Sequence, residues 1–379
     1  MAASGSRPAA IPRHLEPMEA RLVDELPRDE GWQYEPKWDG FRCLALRDGP
    51  YVELQARSGK SLSRYFPEMQ AAVGALDARR FVLDGELVIP HDESLSFQAL
   101  QMRLHPAASR VARLAAQSPA TLVLFDMPFA IGGASQMHLP LDERRAALER
   151  FFAALDRAGA SRFVLTPYTR SLQRAEGWLA RAGGALDGVV AKRVDGAYHP
   201  GERAMLKVKR LRTADCVVGG YRLGTGSRDV GSLLLGLFNG EGLLDHVGFT
   251  AAIPARERPA LTRRLRKLAG GPGFTGRAPG GPSRWSRERS GEWCPVKPAL
   301  VVEVCYDQVT GGRFRHGARL LRWRPDKAPR QCTDEQLGRE ARPSRLIADL
   351  LTPGACERRA RPGARTGRTA GARAPRGAR

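Results

Sequence analysis

Short apolar stretches, cut by Gly, Pro and Asp, organise the first half of the chain. Runs at Arg42–Leu46, Tyr51–Arg57, Phe81–Ile89, Thr121–Asp126, Leu186–Lys192 and Met205–Lys209 predict β-strands. One segment carries clear helical spacing. Over Leu141–Ala158, Asp142 and Glu143 open the run, and Leu148, Phe151, Phe152 and Leu155 recur on one face. Strands and helices without strict alternation predict an α+β domain with antiparallel sheets. Beyond Arg210 the pattern changes to short strands between Gly-rich turns. These are Cys216–Tyr221, Ser232–Phe238, Gly242–Phe249, Leu300–Tyr306 and Ala318–Trp323, with one helix around Arg256–Leu268. Five strands and a helix in so short a span fit a small β-barrel. Gly270–Gly291 reads as a loop, and the Arg-rich tail after Pro353 lacks the apolar residues needed to fold alone.

Length adds a domain scheme to this pattern. The 379 residues suffice for two cores. We expect a flexible N-terminus over 1–14, a first domain over 15–210, a second over 211–345 and a basic, disordered tail over 346–379. The formal charge of +21, from 61 Lys+Arg against 40 Asp+Glu, suits a polyanionic partner. Codon bias towards Arg accounts for part of the arginine but not for the imbalance itself. No run approaches the roughly 18 apolar residues of a membrane span, and the N-terminus lacks a signal-like apolar core. Six cysteines form no C-x-x-C pair, and Cys43, Cys216 and Cys305 sit in apolar runs as small core residues. A monomer in the cytoplasm, with no membrane association, is therefore expected.

The chemistry-bearing segments come next. Tyr34-Glu35-Pro36-Lys37-Trp38-Asp39-Gly40-Phe41-Arg42 contains K-x-D-G. Asp-Gly is a strong hairpin signal, and composition alone yields such a match in roughly one chain of this size in ten. Downstream lie Arg57-Ser58-Gly59-Lys60, Leu83-Asp84-Gly85-Glu86-Leu87, Leu122-Val123-Leu124-Phe125-Asp126, Asp187-Gly188-Val189-Val190-Ala191-Lys192, Met205-Leu206-Lys207-Val208-Lys209 and Arg322-Trp323-Arg324-Pro325-Asp326-Lys327. Each alone has a plain explanation. Phe125 reads as core packing, and Lys207 and Lys209 as one solvated face of a strand.

As an ordered set these segments resemble the motifs of the covalent nucleotidyltransferases: ATP-dependent DNA ligases, RNA ligases and capping enzymes. The wording DGVVAKR, K-V-K-R-x-R-T-A-D-C-V-V-G-G and R-F-R-H-G is most similar to the small bacterial ATP-dependent DNA ligases, of the LigC type and the ligase part of LigD. The resemblance runs from Leu15 to Leu337. It implies an adenylation (nucleotidyltransferase, ATP-grasp-like) domain followed by an OB-fold β-barrel domain, with ATP and Mg²⁺ (or Mn²⁺) as cofactors. Nicked duplex DNA is the implied substrate, in repair or recombination, with repair or end-joining proteins as partners and a nucleoid-associated location.

Residue by residue, the resemblance makes Lys37 the nucleophile. Arg42 and Arg57 contact the sugar or the nick phosphate, and Glu86 holds the ribose or assists the metal. Phe125 stacks on adenine, Glu35 lies beside the base, and Asp187 is a metal-site carboxylate where many relatives carry Glu. Arg324, Asp326 and Lys327 orient the pyrophosphate, and a segment near Arg210 is the hinge that lets the second domain close. A free lysine is neutral only about once in 10³ near neutrality, so the site must favour the neutral amine, and Lys207, Lys209 and Mg²⁺ are placed to do so. The rival readings are a GTP-using capping guanylyltransferase, an RNA ligase and a non-catalytic OB-type DNA-binding protein. The nucleophile and the complete lysine and carboxylate set speak against the last. An NAD-dependent ligase would carry a cysteine zinc site.

Overall fold

Alternation along the strands sorts side chains between two faces, and in this protein one face of each sheet is chemical. The computed structural model describes residues 11–91, 94–155, 161–182, 186–280 and 292–338. A four-stranded sheet runs in the order Ala20–Leu22, Met205–Lys209, Leu186–Arg193, Trp32–Trp38. A five-stranded sheet follows the order Tyr51–Ala56, Phe41–Asp48, Arg80–Val88, Thr121–Phe129, Phe163–Leu165. Pairing is antiparallel except at two edges, where Ala20–Leu22 and Phe163–Leu165 pair in parallel.

In the five-stranded sheet Cys43, Ala45, Phe81, Leu83, Leu122 and Leu124 turn one way. They form one core with Met69 and Val73 of helix Pro67–Ala75 and with Leu148 and Phe151 of helix Leu141–Ala153. Each fully buried Leu or Phe there contributes about 1.5–3 kcal/mol. The opposite register positions are Arg42, Asp84, Glu86 and Phe125, so the period of two places them together on the other face. In the four-stranded sheet Tyr34, Val189, Ala191 and Val208 pack with Ala175 of helix Leu172–Ala180. Glu35, Lys37, Lys192, Lys207 and Lys209 take the alternate positions. Trp38, Val88, Val123 and Leu186 join the two sheets through a shared apolar cluster.

The Asp-Gly of K-W-D-G makes no hairpin. Trp38 ends a strand of one sheet and Phe41 begins a strand of the other, so Asp39-Gly40 is a crossing between sheets. Gly40 is required there, because a Cβ would stand 2.1 Å from the Leu87 carbonyl oxygen. Trp32–Trp38 is itself a strand that the apolar pattern does not announce, since Pro36 argues against a strand interior and Gln33 and Glu35 are buried polar residues.

The second half forms a six-stranded sheet. Its main path is Leu244–Thr250, Val230–Phe238, Arg212–Leu223, Val301–Tyr306, Arg319–Trp323, and Cys294–Pro295 pairs with the Arg212 strand. A backbone bond of 2.8 Å from Ala318 N–H to Phe249 O brings the outer edges together, as in a partly open barrel. Helix Arg258–Arg266 covers it through Leu261 and Leu265. All five expected strands and the helix are present, with ends shifted by a few residues. The expected tail, residues 156–158 of the expected helix and 281–291 of the expected loop lie outside the described residues, as do residues 1–10. Cys43, Cys216, Cys294, Cys305 and Cys332 are free thiols. Among the described residues no helix is long and apolar enough to cross a membrane.

Phe125 is aimed by its neighbour. Arg144, fully buried on helix Leu141–Ala153, donates to both carboxylate oxygens of Asp126, at 2.9 and 3.0 Å, and to the carbonyls of Leu139 and Gly196. Burial opposes the Asp126 carboxylate, but Arg144, aided by Lys192, outweighs it and holds the pKa below the usual value. Replacing Arg144 with Met strands a buried anion. Chemical denaturation should show a loss of about 3–5 kcal/mol, with part recovered in Arg144→Met/Asp126→Leu; an unchanged midpoint for the single variant refutes the role.

Candidate active site

A cleft of about 1050 Å³ opens between the two sheets, and its walls carry Glu35, Lys37, Arg42, Arg57, Glu86, Phe125, Asp187, Lys207 and Lys209. Register explains the floor. Lys37 and Lys209 both pair with Gly188 from opposite sides, so three adjacent strands line up at one level. A bulge between Leu186 and Gly188 turns Asp187 into this row. Gly188 adopts φ +147°, and a Cβ there would lie 1.9 Å from the Val208 carbonyl oxygen. One Asp187 oxygen then sits 2.7 Å from Lys37 Nζ and 3.0 Å from Lys209 Nζ.

The electrostatics follow from this placement. Burial opposes the Asp187 carboxylate, but Lys37 and Lys209 outweigh it and keep its pKa low. Burial also works against the Lys209 ammonium, yet Asp187 and then Asp307 prevail and raise its pKa. For Lys207 the opposing pull of Glu19 is outweighed. Burial lowers its pKa, helped by repulsion from Lys37 and Lys209. Of Lys207 and Lys209, Lys207 is the one whose charge is disfavoured, whereas Lys209 is held as a cation by its acids. Asp187 stands between Lys37 and Lys209 and pairs with both. Glu86 is the reverse case: burial outweighs Lys37 and Arg42 and pushes its carboxyl up to about 7.

Arg42 donates to both oxygens of Asp84, each at 2.6 Å, and its guanidinium lies 4.5 Å from the Phe125 ring centre. Tyr198 donates a further bond of 2.7 Å to Asp84. Arg42 is therefore fixed and charge-balanced. Lys192 approaches the same ring at 4.7 Å and pairs with Glu35 at 2.7 Å. Phe125 is only 9% exposed, so both its core reading and its cleft reading hold. Arg57 lies on the rim, largely exposed, 4.0 Å from Glu19.

The second domain supplies residues to which the motif reading gave no role. Arg315 donates to both oxygens of Asp39, at 2.6 and 2.7 Å, with its guanidinium 3.7 Å from the Phe97 ring centre. Asp307 lies 3.3 Å from Lys209 and 2.8 Å from His316, and Gln308 donates to Asp187 at 3.4 Å. Arg324, Asp326 and Lys327 do not line the cleft in this arrangement. They pair within their own domain, Arg324 and Lys327 with Asp215 at 2.9 and 2.7 Å and Arg324 with Asp326 at 2.8 Å. Sequence reading missed Asp39, Lys192, Asp307 and Arg315. Asp39, Lys192 and Arg315 lie inside quoted motifs, Asp307 lies outside them, and nothing local marks Asp307 or Arg315 as partners of residues far away in sequence.

The geometry brings lysines, further cations and an aromatic ring together in one cleft. Comparison with known proteins identifies the family. Residues 17–209 match the family described as ATP dependent DNA ligase domain, and 226–327 match the ATP dependent DNA ligase C terminal region. DNA ligase C2 of Mycolicibacterium smegmatis is 46% identical, over 85% of this chain and 94% of that protein. The multifunctional non-homologous end joining DNA repair protein LigD of Mycobacterium tuberculosis is 31% identical, over 80% of this chain and 37% of its own length. A solved Lig E DNA ligase shares the fold with a TM-score of 0.51 at 19% identity, covering 83% of this chain and all of that one. An adenylation domain followed by an OB-fold domain, built around a lysine-bearing cleft, places this chain in the family of ATP-dependent DNA ligases.

Proposed function

We propose that this ligase seals nicks in duplex DNA during repair by carrying AMP on Lys37. The observation that supports it best is the shared carboxylate: Asp187 holds Lys37 and Lys209 side by side on the cleft floor. Lys37 Nζ, having lost its proton, attacks the α-phosphorus of ATP. The P–N bond forms as the bond to pyrophosphate breaks. An oxygen of the 5′-phosphate at the nick then attacks that phosphorus, displacing Lys37. Finally the 3′-hydroxyl attacks the activated 5′-phosphate, losing its proton, and AMP leaves.

Lys207 and Lys209 face the transferring phosphate and stabilise its charge in the transition state. Phe125 and Glu35, with Lys192, form the wall for the base. Arg42 and Glu86 border the sugar, and Arg57 on the rim meets the nick phosphate.

Glu86 and Asp187 fit a divalent cation in different ways. The raised pKa of Glu86 marks a buried carboxyl short of positive charge. Asp187 loses a cationic partner once Lys37 carries AMP, because the phosphoramidate nitrogen no longer bears a charge. No ready-made cluster of three ligands exists among the described residues, as expected where substrate phosphates complete the shell. Bound there, Mg²⁺ (or Mn²⁺) supplies Lewis-acid stabilisation of the phosphoryl oxygens.

We assign residues 15–210 to the adenylation domain and 211–345 to the OB-fold, with the pivot near Arg210. Arg210 and Arg212 both donate to the Ala182 carbonyl, at 2.9 and 3.1 Å, at that junction. The arrangement seen, with Arg315 on Asp39, belongs to the sealing steps. A rotation would bring Arg324, Asp326 and Lys327 over the cleft to orient pyrophosphate during charging. We take the residues of 346–379 as a basic arm for DNA, and repair or end-joining proteins as partners, the setting named for the LigD relative.

Incubation with α-labelled ATP should label the wild-type protein and leave Lys37→Ala unlabelled; a labelled Lys37→Ala band rejects the nucleophile. The two faces of the second domain should separate the steps. Lys327→Ala should slow charging by about 10–100-fold and spare sealing of a pre-adenylylated nick. Arg315→Ala should do the opposite. Equal loss of both reactions in either variant would sink the two-face division.

A further inference from the structure

The R-W-R-P-D-K segment is not idle while turned away from the cleft. Every cation in it has a carboxylate partner. Arg322 lies 2.6 Å from Glu303, Arg324 lies 2.9 and 3.2 Å from the two Asp215 oxygens, and Lys327 lies 2.7 Å from Asp215. Among the carboxylates of the described residues, Asp215 alone touches both Arg324 and Lys327. Asp326 bonds Arg324 but is 62% exposed, within the same turn. The Asp215 side chain is 13% exposed, on the Arg212–Leu223 strand directly opposite Glu303. Its backbone is clamped on both sides by Gln336, which accepts from Asp215 N–H at 3.0 Å and donates to its carbonyl at 3.2 Å.

We propose that Asp215 is a positioning residue for lysine charging, binding Arg324 and Lys327 into one pre-formed two-cation grip for the pyrophosphate end of ATP. Two long basic side chains held together repel one another, and each has many rotamers to lose. A fixed carboxylate between them removes both obstacles before ATP arrives. Because Asp215 lies on the same domain as its partners, the grip travels intact when that domain rotates. Part of each cation's hydrogen-bonding capacity remains for phosphate oxygens, since a guanidinium has five donors and an ammonium three. The proposal rests on the reading that Arg324 and Lys327 serve charging rather than sealing.

The test measures single-turnover charging by α-labelled ATP, its reversal by pyrophosphate, and sealing of a pre-adenylylated nick. Asp215→Asn, Asp215→Glu and Arg324→Ala are compared with wild type. Asp215→Asn should slow charging about tenfold or more at saturating ATP and raise the pyrophosphate concentration needed for reversal. It should leave sealing of the adenylylated nick within about twofold of wild type, less than one-third of a decade. Asp215→Glu, which keeps the charge, should recover most of the charging rate. Normal charging by Asp215→Asn alongside slow charging by Arg324→Ala would overturn the assignment of Asp215. Parallel loss of charging and sealing in Asp215→Asn would also overturn it, by making the residue a fold element. Normal charging by Arg324→Ala would instead remove the reading beneath it, and the proposal with it.

Discussion

A single buried carboxylate, Asp187, sets the geometry of the cleft. It lies between Lys37 and Lys209 at hydrogen-bonding distance from each, and it is there because a bulge at Gly188 turns the chain by one residue. Without that anion two ammonium groups would repel across a half-buried cleft, where the screening of water is reduced. With it, three strands can bring both lysines to one level and keep them there. The constraint also reaches the backbone, since a side chain at Gly188 would collide with the neighbouring strand.

The same carboxylate is where the two domains meet chemically. Gln308 donates to Asp187, and Asp307 adds a second anion to Lys209. Arg315 closes on Asp39 a short distance away. The second domain thus engages the cleft with polar groups that complement those already present. Such contacts are charge-assisted and directional, so they favour one orientation. Polar interfaces of that kind permit relative domain motion, which suits the two-face division of steps proposed above.

Much of this could be read from the order of motifs, because a strand-borne motif carries its own alternation. Glu86, Phe125, Lys207 and Lys209 fall on the cleft side by parity alone once the strands are recognised. The path of K-W-D-G could not. Asp-Gly signals a tight turn in local terms, and only the approach of Gly40 to Leu87 shows that the chain is crossing between sheets. The strand Trp32–Trp38 was hidden for a related reason: its buried Gln33 and Glu35 are satisfied by each other and by Lys192, a tertiary partner that hydropathy does not report. Arg315 and Asp39 are 276 residues apart, and no local pattern links them.

The pairing of cations inside the protein has a consequence for how phosphate is recognised. Lys37 and Lys209 are held by Asp187, Lys209 also by Asp307, Arg315 by Asp39, and Arg324 and Lys327 by Asp215. Each carboxylate occupies a position where an anionic oxygen is already compensated. Isolated cations of this density would repel and would grip any polyanion, which a chain of net charge +21 can ill tolerate. Placed beside acids, the cations keep their geometry, and only a ligand offering several phosphate oxygens at once competes with the internal partners. Selectivity for a triphosphate, or for the phosphate at a nick, then comes from matching a fixed arrangement of charges more than from attraction alone.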